Sequence, residues 1–216
     1  MLDLANVSVS IGTVGILRGV TLQAPAGKFV GLIGRNGAGK TTLMRTIMGL
    51  LPCRDGGIAF DGRDLARIPT HERVSLGIGY MPEDRRLVPA LTVEENVLMP
   101  AWAARLPDAP RRLEQVWQVL PELQGFRLRK ALQLSGGQQK LVALARALIV
   151  GDRLLLLDEP FEGVAPALAR RLAEVIAGLR SAGRTVLVSE SSLTHTQHLL
   201  DASYTIDRGQ IVGTAY

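Results

Sequence analysis

The chain has 216 residues, 47% of them hydrophobic, which is enough for one large α/β domain, or a core with a small subdomain, and for a sizeable core. Basic residues outnumber acidic ones 25 to 20, for a formal net charge of +5. The 21 Arg and 4 Lys are scattered and aromatics make up 4%, so the basic, aromatic-studded stripe of a nucleic-acid surface is missing and no nucleic-acid partner is expected.

Met1-Leu2-Asp3-Leu4 lacks the basic-then-apolar order of a secretion signal. No apolar run approaches the roughly 20 residues of a membrane span, so any membrane role is expected through a partner. Leu4 to Ile11 alternates in part and predicts a half-buried strand. Val20 to Gln23 predicts another, with a turn at Pro25-Ala26-Gly27. Together they point to a small antiparallel layer. Phe29-Val30-Gly31-Leu32-Ile33 is a buried strand, and Gly34-Arg35-Asn36-Gly37-Ala38-Gly39-Lys40-Thr41 fits G-x-x-x-x-G-K-[ST]. Thr42 to Met48 follows as a helix. A glycine turn alone could match by chance; strand before and helix after give it the context the motif needs. Glycines let successive N–H groups turn inward on phosphate oxygens, and the helix adds its positive end. Lys40 can reach the outer phosphates and the Thr41 hydroxyl can ligate Mg²⁺.

Gly49 and Pro52 close this helix, and Cys53, the one cysteine, excludes an intrachain disulfide and suits a reducing compartment. Ile58 to Arg63 predicts a strand entering an Asp-Gly turn, Pro69 to Leu76 a short helix, Ile78 to Met81 a short buried strand. A loop from Pro82 to Pro89 carries Glu83, Asp84, Arg85 and Arg86. Thr92-Val93-Glu94-Glu95 is a capping box opening a helix through Trp102, which Pro107 and Pro110 break. Leu113, Val116, Trp117 and Leu120 form a second helical stripe, and both tryptophans are expected in the core of this helical block. Leu134-Ser135-Gly136-Gly137-Gln138 precedes a third helix. A Ser-Gly-Gly turn at a helix start offers a second anion site, although serine is also an ordinary cap there. Leu154 to Leu157 predicts a central parallel strand running into Asp158-Glu159. Leu168, Leu172, Val175, Ile176 and Leu179 form a helical stripe, Thr185 to Val188 a strand, Leu193 to Leu200 a helix, and Tyr204 to Asp207 and Ile211-Val212 flank a turn at Gly209.

A carboxylate ending a buried strand lies where α/β sheets bind ligands. Asp158 is thus expected to hold the Mg²⁺ beside Thr41, and Glu159 to take a proton from attacking water. The order and spacing of the phosphate loop, Leu134–Gln138 and Leu154–Glu159 resemble the ATP-binding-cassette (ABC) ATPases over essentially the whole chain. Tyr80 to Arg86, Leu91 to Asn96 and Asp158 to Pro166 are similar to the branched-chain amino-acid importer (LivF-like) branch. The resemblance implies an α/β fold: a phosphate-loop (RecA-like) ATPase core with a small antiparallel β layer and a helical subdomain. It is expected as one ABC ATPase domain over 1–216, with the core at 1–83 and 151–216 and the helical subdomain at 84–150.

The family pattern also implies ATP and Mg²⁺ as ligands and a head-to-tail dimer with a second ABC ATPase subunit. Each ATP would lie between one subunit's Gly34, Asn36, Gly37, Ala38, Gly39, Lys40, Thr41 and Thr42 and the other's Ser135, Gly136, Gly137 and Gln138. An integral-membrane permease, and through it a periplasmic or extracellular solute-binding protein, would complete the assembly on the cytoplasmic face of the membrane. Three positions depart from the pattern. Ile11 stands where an aromatic usually stacks on adenine. Glu83 stands where a glutamine senses Mg²⁺ and γ-phosphate, keeping an oxygen ligand but adding charge. Ser191 stands at the switch histidine and carries no positive charge. His195 and His198 are expected on a helix face. A heterologous ATPase partner carrying the histidine would let Ile11 and Ser191 persist; the alternatives are a degenerate cassette that binds ATP with little turnover, or a soluble ABC ATPase of DNA repair or translation.

Overall fold

The computed structural model describes residues 1–215. Strand β1 (Leu2–Ile11) forms a hairpin with β2 (Val14–Ala24). The partial alternation of β1 has a local cause. Leu2 and Leu4 face inward, then Val7 and Val9 do, so the inward phase slips by one residue. Asn6 sits at the slip with φ +53°, and the register shifts between Leu4 and Val7. A bulge of this kind resets which residues meet the core. With β4 (Asp55–Phe60) and β5 (Arg63–Asp64) these strands form an antiparallel sheet in the order β2-β1-β4-β5.

The second sheet uses the apolar runs. It contains β3 (Phe29–Ile33), β6 (Ile78–Met81), β7 (Leu154–Asp158), β8 (Thr185–Glu190), β9 (Ala202–Asp207) and β10 (Gln210–Ala215). Their order is β10-β9-β3-β8-β7-β6, parallel throughout except for the β10 edge. Strands buried on both faces need no polar alternation, which is why β7 and β8 read as continuous apolar stretches. Their side chains divide by parity. Leu155, Leu157, Val186 and Val188 enter one core with the helices, while Leu154, Leu156 and Leu187 enter another with the antiparallel sheet.

Helix α1 (Lys40–Ile47) leaves the phosphate loop, and α2 (Thr70–Arg73) continues as a 3₁₀ turn, Val74–Leu76, before Gly77. Then come α3 (Val93–Ala103), α4 (Ala109–Val119), α5 (Gly136–Leu148) and α6 (Pro166–Gly178). The Thr92–Glu95 capping box is formed, and Ser135 with Gln138 makes another at the start of α5. No named strand lies between β6 and β7. No helix is long and apolar enough to cross a membrane among the described residues.

Three expectations change. Trp117 is core at 2% exposure, but Trp102 is 52% exposed. The buried stripe of α3 runs Val93, Val97, Ala101, and Trp102 follows about 100° off it. Pro110 opens α4 from its first turn, where a missing N–H costs nothing. Leu193 to Leu200 is no α-helix: it holds a 3₁₀ turn, Gln197–Leu199. The Ser192 and Thr194 hydroxyls bond each other at 2.9 Å, and such side chains compete with helical backbone bonding.

Helix α5 lies hard against β6. A Cβ on Gly79 would fall 2.2 Å from the Ala147 carbonyl oxygen, a backbone atom that cannot step aside. Gly79→Ala is therefore expected to lift α5 from the sheet and cost about 1–3 kcal/mol of stability, read from the urea midpoint.

Candidate active site

The loops after β3, β6, β7 and β8 leave the same end of the parallel sheet, the end at which such sheets bind ligands. The phosphate loop is held by its neighbours. Gly34 N–H donates to the Glu190 carbonyl at 3.0 Å, and a Cβ on Gly34 would sit 2.3 Å from the Ile206 carbonyl oxygen. Gly37 and Gly39 take φ of +80° and +113°, backbone that side chains rarely tolerate. Gly209 N–H bonds the Ala38 carbonyl, and Arg18 N–H bonds that of Gly209, tying β2 to the loop. Lys40, 4% exposed, curls back into the loop. Its Nζ donates to the carbonyls of Gly34 (2.6 Å) and Arg35 (3.1 Å) and pairs with Glu159 Oε1 at 2.8 Å. A cavity of about 360 Å³ opens over the loop, lined by Ile16, Asn36, Gly37, Gly39, Lys40, Thr41, Thr42, Glu83 and Glu159. A larger hollow, about 430 Å³, lies beside Cys53 and Arg73. There the Arg73 guanidinium is engaged by the carbonyls of Thr46, Ile47, Leu65 and Ile68.

Asp158 is fully buried at the end of β7. Its Oδ1 accepts from Ser189 Oγ at 2.6 Å and lies 3.2 Å from Thr41 Oγ1; its Oδ2 accepts from the Tyr80 hydroxyl at 3.2 Å. Burial pushes the carboxyl's pKa up, and these hydrogen bonds pull back against it. Burial, then the Asp158 charge, raises the Tyr80 phenol too, so it stays a donor. Glu83 Oε2 lies 3.4 Å from the same Thr41 hydroxyl. Among the described residues no cluster of three or more His, Cys, Asp or Glu could hold a metal alone. One hydroxyl and one or two carboxylates fit Mg²⁺, a hard ion that completes its shell with substrate phosphates and water.

Glu159, also 4% exposed, sits at φ +49°. Its N–H donates to Ser189 O at 3.1 Å, and its Oε2 is buried without a partner. The carboxylate borders the cavity over the phosphate loop.

The sequence profile described as "ABC transporter" matches residues 17–162. The high-affinity branched-chain amino acid transport ATP-binding protein BraG of Pseudomonas aeruginosa is 35% identical over 98% of this chain and 91% of that protein. The chain belongs to the ABC transporter family. It is an ATP-binding, ATP-hydrolysing subunit of that family. The lipopolysaccharide export ATP-binding protein LptB of Haemophilus influenzae is 32% identical, covering 99% of this chain and 90% of that one. The ADP conformation of MJ1267, an ATP-binding cassette of an ABC transporter, is 30% identical with a TM-score of 0.83, covering 100% and 90%. The dimeric structure of MJ0796, a bacterial ABC transporter cassette, is 25% identical with a TM-score of 0.89, covering 100% and 98%.

In this ABC chain the expected residues fall into two groups. Phosphate loop, Glu83, Asp158 and Glu159 converge. Ser135 to Gln138 do not line that cavity; they cap α5, with Ser135 and Gly136 turned to solvent. Ser191 is exposed in a bend after β8. Ile11, 51% exposed, ends its strand at the hairpin turn, while Ile16 lines the cavity. His195 and His198 are exposed on the segment with no α-helix, and the His195 ring lies 5.3 Å from that of Phe161. Four site residues went unread in sequence: Tyr80, Ser189, Lys140 and Glu190. Only Glu190 carried a signal, as an acid closing an apolar strand like Asp158.

Glu190 is buried, and its Oε1 accepts from Phe161 N–H at 3.2 Å. Burial, reinforced by Glu159 and opposed first by the Phe161 N–H and then by Lys140 and Lys40, pushes its pKa from 4.5 up to about 7. The folded chain then keeps a proton that the unfolded chain releases. The resulting stability is full below pH 4.5 and is lost as pH rises through about 7. Glu190→Gln should remove this dependence. Urea unfolding of the nucleotide-free proteins should show the variant gaining about 2 kcal/mol on wild type between about pH 5 and pH 8.

Proposed function

We propose that this chain hydrolyses ATP for a membrane importer of branched-chain or other amino acids, or of urea-like solutes. One observation carries the catalytic part. The phosphate loop and carboxylates form one site, and the signature turn at Ser135 faces solvent away from it. A chain holding two half-sites apart is completed head to tail by a second cassette. Ser135 and Gly137 would then meet the γ-phosphate on the partner's ATP, adding backbone donors and a helix N-terminus. Closing on ATP and opening after hydrolysis would drive a permease between two states. The helical segment between β6 and β7 would dock on that permease at the cytoplasmic face, with a solute-binding protein beyond it. Import of amino acids is supported by the likeness to BraG and to the LivF-like motifs. Lipopolysaccharide export is the second reading, supported by the likeness to LptB.

The ion pair of Lys40 with Glu159 gives the chemistry an order. ATP offers Lys40 phosphate oxygens in place of the loop carbonyls and Glu159 Oε1. The freed carboxylate, held at the cavity wall, can then take a proton from water directed at the γ-phosphorus. Thr41, Asp158 and Glu83 would hold Mg²⁺, which neutralises charge on the phosphates. Glu83 brings a negative charge that a glutamine would not. Exposed Ser191 offers a hydroxyl and no cation, so we infer a heterologous partner whose own site carries one.

Lys40→Ala should abolish tight ATP·Mg²⁺ binding by calorimetry, because the triphosphate loses its fixed cation; unchanged affinity would refute the loop's role. Glu159→Gln keeps shape and removes the base. Turnover should fall about 10²–10⁴-fold while ATP still binds and dimers accumulate by light scattering. Reconstitution with the permeases encoded near this chain, followed by uptake of labelled leucine, separates import from export.

A further inference from the structure

Lys140 is 2% exposed, on a helix whose neighbouring positions Leu141, Val142 and Ala143 are all buried. An ammonium in such a place is costly unless its donors are used. Its Nζ donates to the Glu159 carbonyl at 2.7 Å and the Glu162 carbonyl at 3.3 Å. Those two carbonyls bracket a turn, because Glu162 N–H also bonds the Glu159 carbonyl at 3.2 Å. Glu159 itself is in the left-handed region, a conformation that is costly for a non-glycine residue and persists only where its surroundings impose it. The nearby Ser189 grips its N–H; Lys140 grips its C=O.

Lys140 lies five residues after Ser135 in α5, about 7.5 Å along a rigid rod. The same helix holds the Glu83 loop. Gln139 accepts from Arg85 at 3.0 Å, and Arg146 donates to the carbonyls of Arg86 and Arg85. The end of α5 that caps the signature is thereby joined to the backbone of the carboxylate at the chain's own phosphate loop.

We propose that Lys140 is a positioning residue: it fixes the Glu159 backbone to the signature helix, so that Glu159 is aligned for hydrolysis when the signature engages the partner's nucleotide. This rests on the reading of Glu159 as base and of Ser135–Gln138 as partner-facing.

The test uses the full-length chain purified without any partner cassette, so that every site read is its own, with Lys140→Met, Lys140→Gln and Lys140→Arg, each also combined with Glu159→Gln. ATP affinity, steady-state kcat and KM, the Hill coefficient for ATP and single-turnover hydrolysis are measured. Lys140→Met should lower kcat by about 10²-fold, the scale expected for a base misplaced by about 1 Å, with ATP affinity nearly unchanged. Its Hill coefficient should drop toward unity. Lys140→Arg, which can donate to the same carbonyls, should recover most of the turnover, and Lys140→Gln part of it. In the Glu159→Gln background Lys140→Met should cost nothing further, since there is no base left to position. Turnover of Lys140→Met within twofold of wild type would overturn the proposal, as would an equal loss in both backgrounds. If the Met variant fails to fold, the Gln variant gives the same cycle. Near-normal turnover of Glu159→Gln alone would instead remove the base assignment; an intact Glu159→Gln defect with silent Lys140 variants would overturn the role of Lys140 alone.

Discussion

The site is organised around one buried ion pair, Lys40 with Glu159, 2.8 Å apart and almost closed to water. Neither charge could be left there alone, because a lone buried ion costs several kcal/mol. The pair therefore holds two distant parts of the chain together: the start of α1 and the end of β7. It also leaves each member incomplete. Lys40 leans on two carbonyls, a weaker set of acceptors than phosphate, and Glu159 keeps an unpartnered oxygen. Both groups stand to gain when a triphosphate arrives. In the proposed reading, that exchange of charge partners would release the carboxylate from its role as counter-ion.

Around that pair the backbone is arranged with little freedom. Gly34 has no room for a methyl group, Glu159 is held in left-handed geometry, and Asp158 is oriented by the hydroxyls of Thr41, Tyr80 and Ser189. A charged site built of short donors on four strand ends is pre-organised, which is what electrostatic catalysis requires. The sheet's parity supports it. Alternate residues of β7 and β8 anchor it to two separate cores, so its carboxyl end cannot tilt without disturbing both.

Much of this was legible in sequence wherever the cause was local. The phosphate loop, the capping boxes at Thr92 and Ser135, and the apolar runs of β3, β7 and β8 each carry their own physics within a few residues. Asp158 beside Thr41 could be read because a strand's end has a fixed meaning in a parallel sheet. What escaped depends on neighbours distant in the chain. Tyr80 and Ser189 meet Asp158 because β6 and β8 flank β7, a strand order that periodicity does not encode. Lys140 reads as one more polar residue after a glycine turn until the fold lays it against Glu159. The phase of α3 separated Trp102 from Trp117, and hydroxyl-rich Ser191 to Thr196 defeated a helix that its leucines suggested.

The placing of the two tryptophans gives the molecule a built-in optical reporter. Both indoles lie on α3 and α4, and neither borders the phosphate loop. Trp117 is shielded from solvent while the Trp102 ring is bathed in it. Emission from this chain is thus a blue component that tracks the integrity of the helical segment and a red, quencher-accessible component from one exposed ring. Nucleotide at the loop touches neither directly, so a change in the red component reports something laid over α3.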